Sequence, residues 1–69
     1  MSTLEDLRLE ARLSIVELSR KARVDMKTIR RALDGERVQK LKAYAIVDAI
    51  SEELHRPLKL EEIEGLHYT

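Results

Sequence analysis

Residues 13–35 read LSIVELSRKARVDMKTIRRALDG, and this stretch decides the fold of the chain. Near its start, Ser14 is followed three residues later by Glu17, a pair that forms a capping box and begins a helix. Helical spacing then puts Leu18 and Ala22 on the buried side of this helix. The pattern therefore predicts a helix that begins at Ser14 and ends near Ala22.

A second helix follows almost at once, over residues 26–34. Asp25 can cap its first turn, and Gly35 is the usual left-handed residue just beyond a helix end. At about 100° per residue, Lys27 and Arg31 lie almost opposite the apolar residues of this helix. The apolar face consists of Ile29, Ala32 and Leu33. The sequence thus predicts two helices joined by a tight bend, the second with an outward positive face.

The rest of the chain has helical patterns as well. Thr3 and Asp6 resemble a capping box that opens a first helix over about residues 4–12. A fourth helix is expected over residues 39–55 and a short fifth over residues 60–66. The residues expected to be buried in the fourth helix are Leu41, Ala45, Ile46, Ala49, Ile50 and Leu54. We therefore expect residues 1–69 to form a single all-α domain, a compact bundle of about five short helices that contains a helix-turn-helix.

Composition limits the classes of function. The chain has 69 residues and no cysteine, which excludes disulfides, thiolate metal sites and cysteine nucleophiles. No apolar run reaches the roughly 18–20 residues of a membrane span, and we expect a soluble, cytoplasmic protein without an export signal. Aromatic residues make up only 3%, which disfavours single-stranded nucleic acid as a ligand, since such strands are usually held by aromatic stacking.

The charges are unevenly distributed, although the formal net charge is +0. Residues 20–42, here called the basic block, carry nine Lys and Arg against three acidic residues. Residues 1–19 carry two bases against four acids, and residues 43–69 carry two against six. A basic block between acidic flanks can steer a polyanion to one face of a small protein. Duplex DNA fits this distribution, because a cationic helix can enter its major groove.

With these motifs in view, residues 4–64 resemble the phage repressor and Cro type of helix-turn-helix protein, also called the xenobiotic-response-element type. The most specific part of the likeness is Leu13-Ser14, Glu17-Leu18-Ser19, Lys21-Ala22, Val24, Thr28-Ile29 and Gly35-Glu36-Arg37. Members of this family are bundles of about five helices in which the third helix enters the major groove. The resemblance implies a DNA-binding transcription regulator, such as a repressor that occupies an operator.

The resemblance also implies residue roles. The base contacts that it implies are Met26, Lys27, Thr28 and Arg31. The phosphate contacts that it implies are Ser14, Ile15, Arg37 and Lys40. Arg20, Arg30 and Lys42 also lie in the basic block and are expected to contact phosphates as well. The arginine fork matches guanine O6 and N7, so the pair formed by Lys27 and Arg31 is expected to prefer G-containing steps.

Three positions depart from the family pattern. Arg23 stands where the bend usually has glycine, and a left-handed backbone there costs of order 1 kcal/mol for a non-glycine residue. Ile15 replaces a common phosphate-binding glutamine, which leaves only backbone N–H groups for that contact. Ala32 replaces a larger apolar residue, and Leu33 is expected to move inward to compensate.

Other classes of function receive less support from the residues. We expect no enzyme activity, because no set of nucleophile, base and oxyanion donors is evident. We also expect no metal site and no small-molecule cofactor. Glu52 and His55 have a spacing that can ligate metal on a bundle helix, but a second copy of the motif is absent.

Two further expectations concern partners. A homodimer is expected, with the predicted fifth helix and residues 63–68 as its contact, because a single module grips few phosphates. The alternative function is a protein-interaction module, such as an antitoxin or adaptor built on the same fold, that binds its partner through the acidic ends. A binding curve insensitive to salt would favour that alternative.

Overall fold

In the computed structural model, which describes residues 2–69, the chain forms four α-helices, one 3-10 turn and one two-stranded sheet. The helices are α1 (Leu4–Glu10), α2 (Ile15–Ala22), α3 (Met26–Leu33) and α4 (Lys40–Leu54). The strands are β1 (Arg37–Val38) and β2 (His67–Tyr68), and the 3-10 turn is Leu60–Glu62. Of the helices described, none is long and apolar enough to cross a membrane.

The helix starts confirm the capping predictions. At α1, the Thr3 hydroxyl accepts from the Asp6 N–H while the Asp6 carboxylate accepts from the Thr3 N–H. Ser14 and Glu17 make the same reciprocal pair at α2, with both distances 3.0 Å. Each box satisfies two backbone donors that a helix start would otherwise leave open. Local polar side chains therefore set where these two helices begin.

The core is built around α4, which packs against α2, α1 and the 3-10 turn, while α3 packs against α2. Ile46 and Ile50 of α4, Leu18 of α2 and Ile29 of α3 are all completely buried. No polar or charged side chain is buried among the described residues. Stability therefore rests on aliphatic packing, as expected for a small chain without disulfides.

One predicted core residue of α4 is wrong. Ile46, Ala49 and Ile50 are buried as predicted and Ala45 and Leu54 are half-buried, but Leu41 is 81% exposed. The observed inner stripe runs through Ala43, Ile46, Val47 and Ile50, which follow the helical spacing i, i+3, i+4 and i+7. Leu41 lies off this stripe, on the outer side of the first turn of α4. The first turn therefore presents an apolar side chain to solvent.

The predicted fifth helix over residues 60–66 is also wrong. Only Leu60–Glu62 forms a 3-10 turn, and the chain then extends into β2, which pairs in parallel with β1. Leu60, Ile63 and Leu66 are spaced three residues apart and are all buried. This spacing is compatible with a 3-10 turn followed by an extended tail as well as with a helix. Gly65 has a φ of +78°, which a helix does not accommodate. The fold is therefore helical with a small sheet in place of a fifth helix.

The C-terminal tail is fastened to the chain segment between α3 and α4. Thr69 donates its N–H to the Val38 carbonyl at 3.1 Å and accepts from the Lys40 N–H at 3.1 Å. Ile63 and Leu66, which the dimer prediction assigned to a contact between subunits, are buried in the core of their own chain. The tail therefore holds the residues just before α4, and its first residue, in place.

The bend between α2 and α3 contains the backbone strain expected at Arg23, whose φ is +58°. The left-handed residue lets Val24 donate to the Ser19 carbonyl at 3.1 Å and closes α2. Because glycine has no Cβ, we predict that Arg23→Gly raises the free energy of unfolding by about 0.5–1 kcal/mol in urea denaturation.

The control for this prediction is the same change inside a helix. Arg20→Gly lies in the last turn of α2, where the backbone is helical and glycine should lower stability by up to about 1 kcal/mol. If both variants are destabilised alike, the left-handed conformation of Arg23 is not strained.

Candidate nucleic-acid interface

Helix α3 has one face fixed in the core and the other turned to solvent. Ile29 and Ala32 are 0% and 2% exposed, and Leu33 is half-buried beside them. Lys27 and Arg31, four residues apart, are both exposed. The hydrophobic contacts of the inner face therefore hold the two cations outward on a rigid helix, with Met26 41% exposed at its start.

The start of α3 is fixed by Asp25. Its carboxylate accepts from the Thr28 N–H at 3.0 Å and from the Thr28 hydroxyl at 2.7 Å. The hydroxyl bond, then the backbone bond, holds the pKa of Asp25 below its ordinary value. The Thr28 hydroxyl therefore donates its proton to Asp25, and the Thr28 side chain is half-buried.

A recess of about 180 Å³ lies between α3 and the start of α4. Arg31 of α3, Arg37 of β1 and Lys42 of α4 all line it. The remaining lining residues are Thr28, Val38 and Gln39. These three cations are all predicted DNA contacts. They lie up to eleven positions apart in the sequence but line the same recess.

The cations of this surface are paired weakly with carboxylates. Arg31 Nε is 3.8 Å from Glu36 Oε1, and Lys42 Nζ is 3.9 Å from Asp25 Oδ1. Both pairs are at the long limit for an ion pair and partly exposed, so each contributes little. Within residues 2–69, no ion pair involves Lys27 or Arg37. These cations remain available to an external anion.

Cations away from this surface are paired more closely. Arg56 donates to Glu10 at 2.7 Å, and Lys21 lies 3.3 Å from Glu52. Arg8 likewise binds Glu5 and also donates to the Leu13 carbonyl at 2.8 Å. Part of the acidic charge of the two flanks is therefore neutralised by close ion pairs within the chain, whereas the cations near α3 have only the two long pairs to Glu36 and Asp25.

The remaining predicted phosphate contacts are more scattered. Arg20 and Arg30 are exposed, and neither has an ion pair within the described part of the chain. At the start of α2, Ser14 is occupied by its capping box and Ile15 packs half-buried against the core. The carboxylate of that box has a lowered pKa because it accepts the Ser14 N–H, so a negative charge lies beside this helix start.

Lys40 lies outside the recess. Its ammonium nitrogen is 5.9 Å from the ring centroid of Tyr44 and 5.9 Å from that of Tyr68, which is within reach of a cation–π contact. Lys40 therefore belongs to a cluster with two tyrosines, whereas Lys42 turns toward α3.

Sequence reasoning missed part of this arrangement. Gln39 and Val38 line the recess because β1 pairs with the tail, and two-residue strands leave no readable alternation of polar and apolar residues. The position of Gln39 just before α4 was the only available signal. The interaction of Lys40 with Tyr68 depends on the same pairing.

Comparison of this chain with protein-family models, with curated proteins and with solved structures gave no match.

Proposed function

We propose that this protein binds double-stranded DNA through the outer face of α3 and acts as a transcription regulator. One observation supports the proposal most strongly. On the same short helix, Ile29 is completely buried, while Lys27 and Arg31 are exposed on the opposite side. A helix held in this way presents cations on a convex ridge, and the major groove is wide enough to admit an α-helix.

In this proposal the base contacts come from the exposed side of α3. Arg31 offers a two-pronged donor to guanine, and Lys27 reaches the same kind of edge one turn earlier. Met26 and the methyl group of Thr28 are suited to the methyl group of thymine, since the Thr28 hydroxyl proton is already donated to Asp25.

Phosphate contacts come from the rim of the recess. Arg37 and Lys42 flank Arg31 there, so a DNA backbone beside the groove would meet cations from two different elements. Arg20 and Arg30 extend the positive surface on either side. Such contacts supply affinity and register but do not read sequence.

The test is the salt dependence of binding to a labelled duplex, measured by fluorescence anisotropy. These four phosphate contacts predict that log K falls with log salt at a slope of about −4. Lys42→Ala should reduce the steepness of this slope by about 1. Lys59→Ala, an exposed lysine outside the basic block, is the matched control and should leave the slope unchanged.

Two results would contradict the proposal. One is an absence of duplex binding at low salt. The other is binding with a slope near zero, which would favour a protein-interaction module that uses the acidic ends.

A further inference from the structure

The acidic residues of the basic block differ in what they contact. The block contains Asp25, Asp34 and Glu36. Asp25 caps the start of α3, and the exposed Asp34 has no ion pair within the described part of the chain. Among residues 2–69, Glu36 is the only acid paired with a cation of α3, since its Oε1 lies 3.8 Å from the Nε of Arg31.

The backbone holds Glu36 beside Arg31. Gly35 follows α3 with a φ of +82°, and this left-handed residue turns the chain so that the Glu36 N–H donates to the Arg31 carbonyl at 2.9 Å. On the other side of Glu36, Arg37 begins β1, which pairs with β2. The Glu36 carboxylate is therefore attached to a fixed point of the backbone next to the Arg31 side chain.

The ion pair engages only one side of the Arg31 guanidinium, at Nε. Nη1 and Nη2 at its far end stay free, and two parallel N–H groups of this kind match O6 and N7 of guanine. A long arginine side chain has other rotamers, however, and phosphate oxygens compete with bases for it. Arg31 also lines the recess with Arg37 and Lys42, where phosphate contacts are proposed. Glu36 is therefore placed to favour one of two uses of Arg31.

We propose that Glu36 is a positioning residue that holds the far end of the Arg31 guanidinium toward guanine, so that the protein prefers duplexes with a G·C pair at this step. This inference rests on the proposed binding of DNA. In water the pair contributes little, because the Arg31 and Glu36 side chains are 55% and 57% exposed. When a duplex displaces part of that water, the same charges interact more strongly. The carboxylate therefore acts on Arg31 mainly in the complex.

The charge of Glu36 also has an opposite effect on affinity. A carboxylate near the groove repels DNA phosphates, so Glu36 lowers the affinity for every duplex. Removal of this charge should therefore raise the affinity for an unrelated duplex and, at the same time, reduce the preference for guanine. A residue that only supported the fold would lower both affinities when it is changed.

Fluorescence anisotropy with two duplexes of equal length tests the proposal, one selected from random sequences and one unrelated. Glu36→Gln removes the charge at nearly constant size. We expect its affinity for the unrelated duplex to rise by about two- to fivefold, as for loss of one surface charge. The ratio of the two affinities should fall by about three- to tenfold, a part of what a bidentate arginine–guanine contact supplies.

Asp34→Asn is the matched control for this variant. It removes the same charge two residues earlier, from an exposed acid that has no ion pair to Arg31. Both affinities should therefore rise alike, and their ratio should stay as in the unchanged protein. The fold should be retained in Glu36→Gln, because the bond from Glu36 to the Arg31 carbonyl is made by the backbone. Circular dichroism checks this.

Arg31→Ala supplies a background in which Glu36 has no guanidinium to position. In that background, Glu36→Gln should still raise the affinity for both duplexes but should no longer change their ratio. This dependence on Arg31 separates positioning from a general effect of charge.

Two outcomes would overturn the proposal. One is a change of ratio in Glu36→Gln no larger than that in Asp34→Asn. The other is a change of ratio that persists in the Arg31→Ala background. Neither affects the proposed function, because duplex binding and its salt slope are measured with the unchanged protein. An unchanged protein that binds no duplex would refute the proposed function, and the positioning role with it.

Discussion

Arg31→Ala is expected to weaken binding to the preferred duplex by about five- to 150-fold, which corresponds to the roughly 1–3 kcal/mol of a bidentate arginine–guanine contact. The preferred duplex is first obtained by selection from random sequences. Binding to an unrelated duplex should fall much less, so the ratio between the two affinities should shrink. The fold should be retained, because the Arg31 side chain is 55% exposed and its only ion pair in residues 2–69 is the long one to Glu36.

Two neighbouring variants separate the base contact from simple charge. Arg31→Lys keeps the positive charge but loses the planar fork, so it should lose preference while retaining most nonspecific affinity. Arg30→Ala removes a cation from the flank of the same helix and should weaken both duplexes alike. Equal losses on both duplexes for Arg31→Ala and Arg30→Ala would contradict the assigned roles.

The largest effect on stability is expected for Ile29→Ala. Ile29 is completely buried and joins α3 to the core, so its truncation should lower the free energy of unfolding by about 2–5 kcal/mol. A chain of this length has only about 3–10 kcal/mol in total, and the variant should be partly unfolded at room temperature. Thermal unfolding followed by circular dichroism should show a melting temperature at least about 10 °C lower.

Val16→Ala serves as the comparison for Ile29→Ala. Val16 is 43% exposed on α2, and its truncation should change stability by no more than about 0.5 kcal/mol. If Ile29→Ala lost less than about 1 kcal/mol, the inner face of α3 would not be what holds Lys27 and Arg31 outward.

The first three helices could be predicted because their signals are local. Capping boxes at Thr3 and Ser14, the cap at Asp25 and the spacing of Leu18 and Ile29 each act within four residues of chain. Predicted and observed bounds differ only by one or two residues at the helix ends. Such interactions can be inferred from sequence because they do not depend on distant partners.

The C-terminal region could not be predicted because it depends on contacts across the chain. Val38 and Tyr68 pair across thirty positions, and no local pattern distinguishes this pairing from a short helix. Leu41 was expected inside for a related reason, since helical spacing alone does not reveal which side of α4 meets other elements. Tertiary contacts decide both cases.

For the candidate site, the outward direction of Lys27 and Arg31 followed from their position opposite Ile29. The recess did not follow, because it requires Arg37, Gln39 and Lys42 to be placed beside α3 by the pairing of β1 with β2. The different directions of Lys40 and Lys42 became evident only once the tyrosine cluster was known.

DNA binding by this protein, as proposed, depends most on α3 presenting its exposed side to the duplex. The direct measurement is a titration of ¹⁵N-labelled protein with a selected duplex, followed by amide NMR shifts residue by residue. The largest changes are expected at residues 26–31 and at 37–42, with little change at 52–64. Changes confined to the acidic ends, or equally spread over the whole chain, would contradict this expectation.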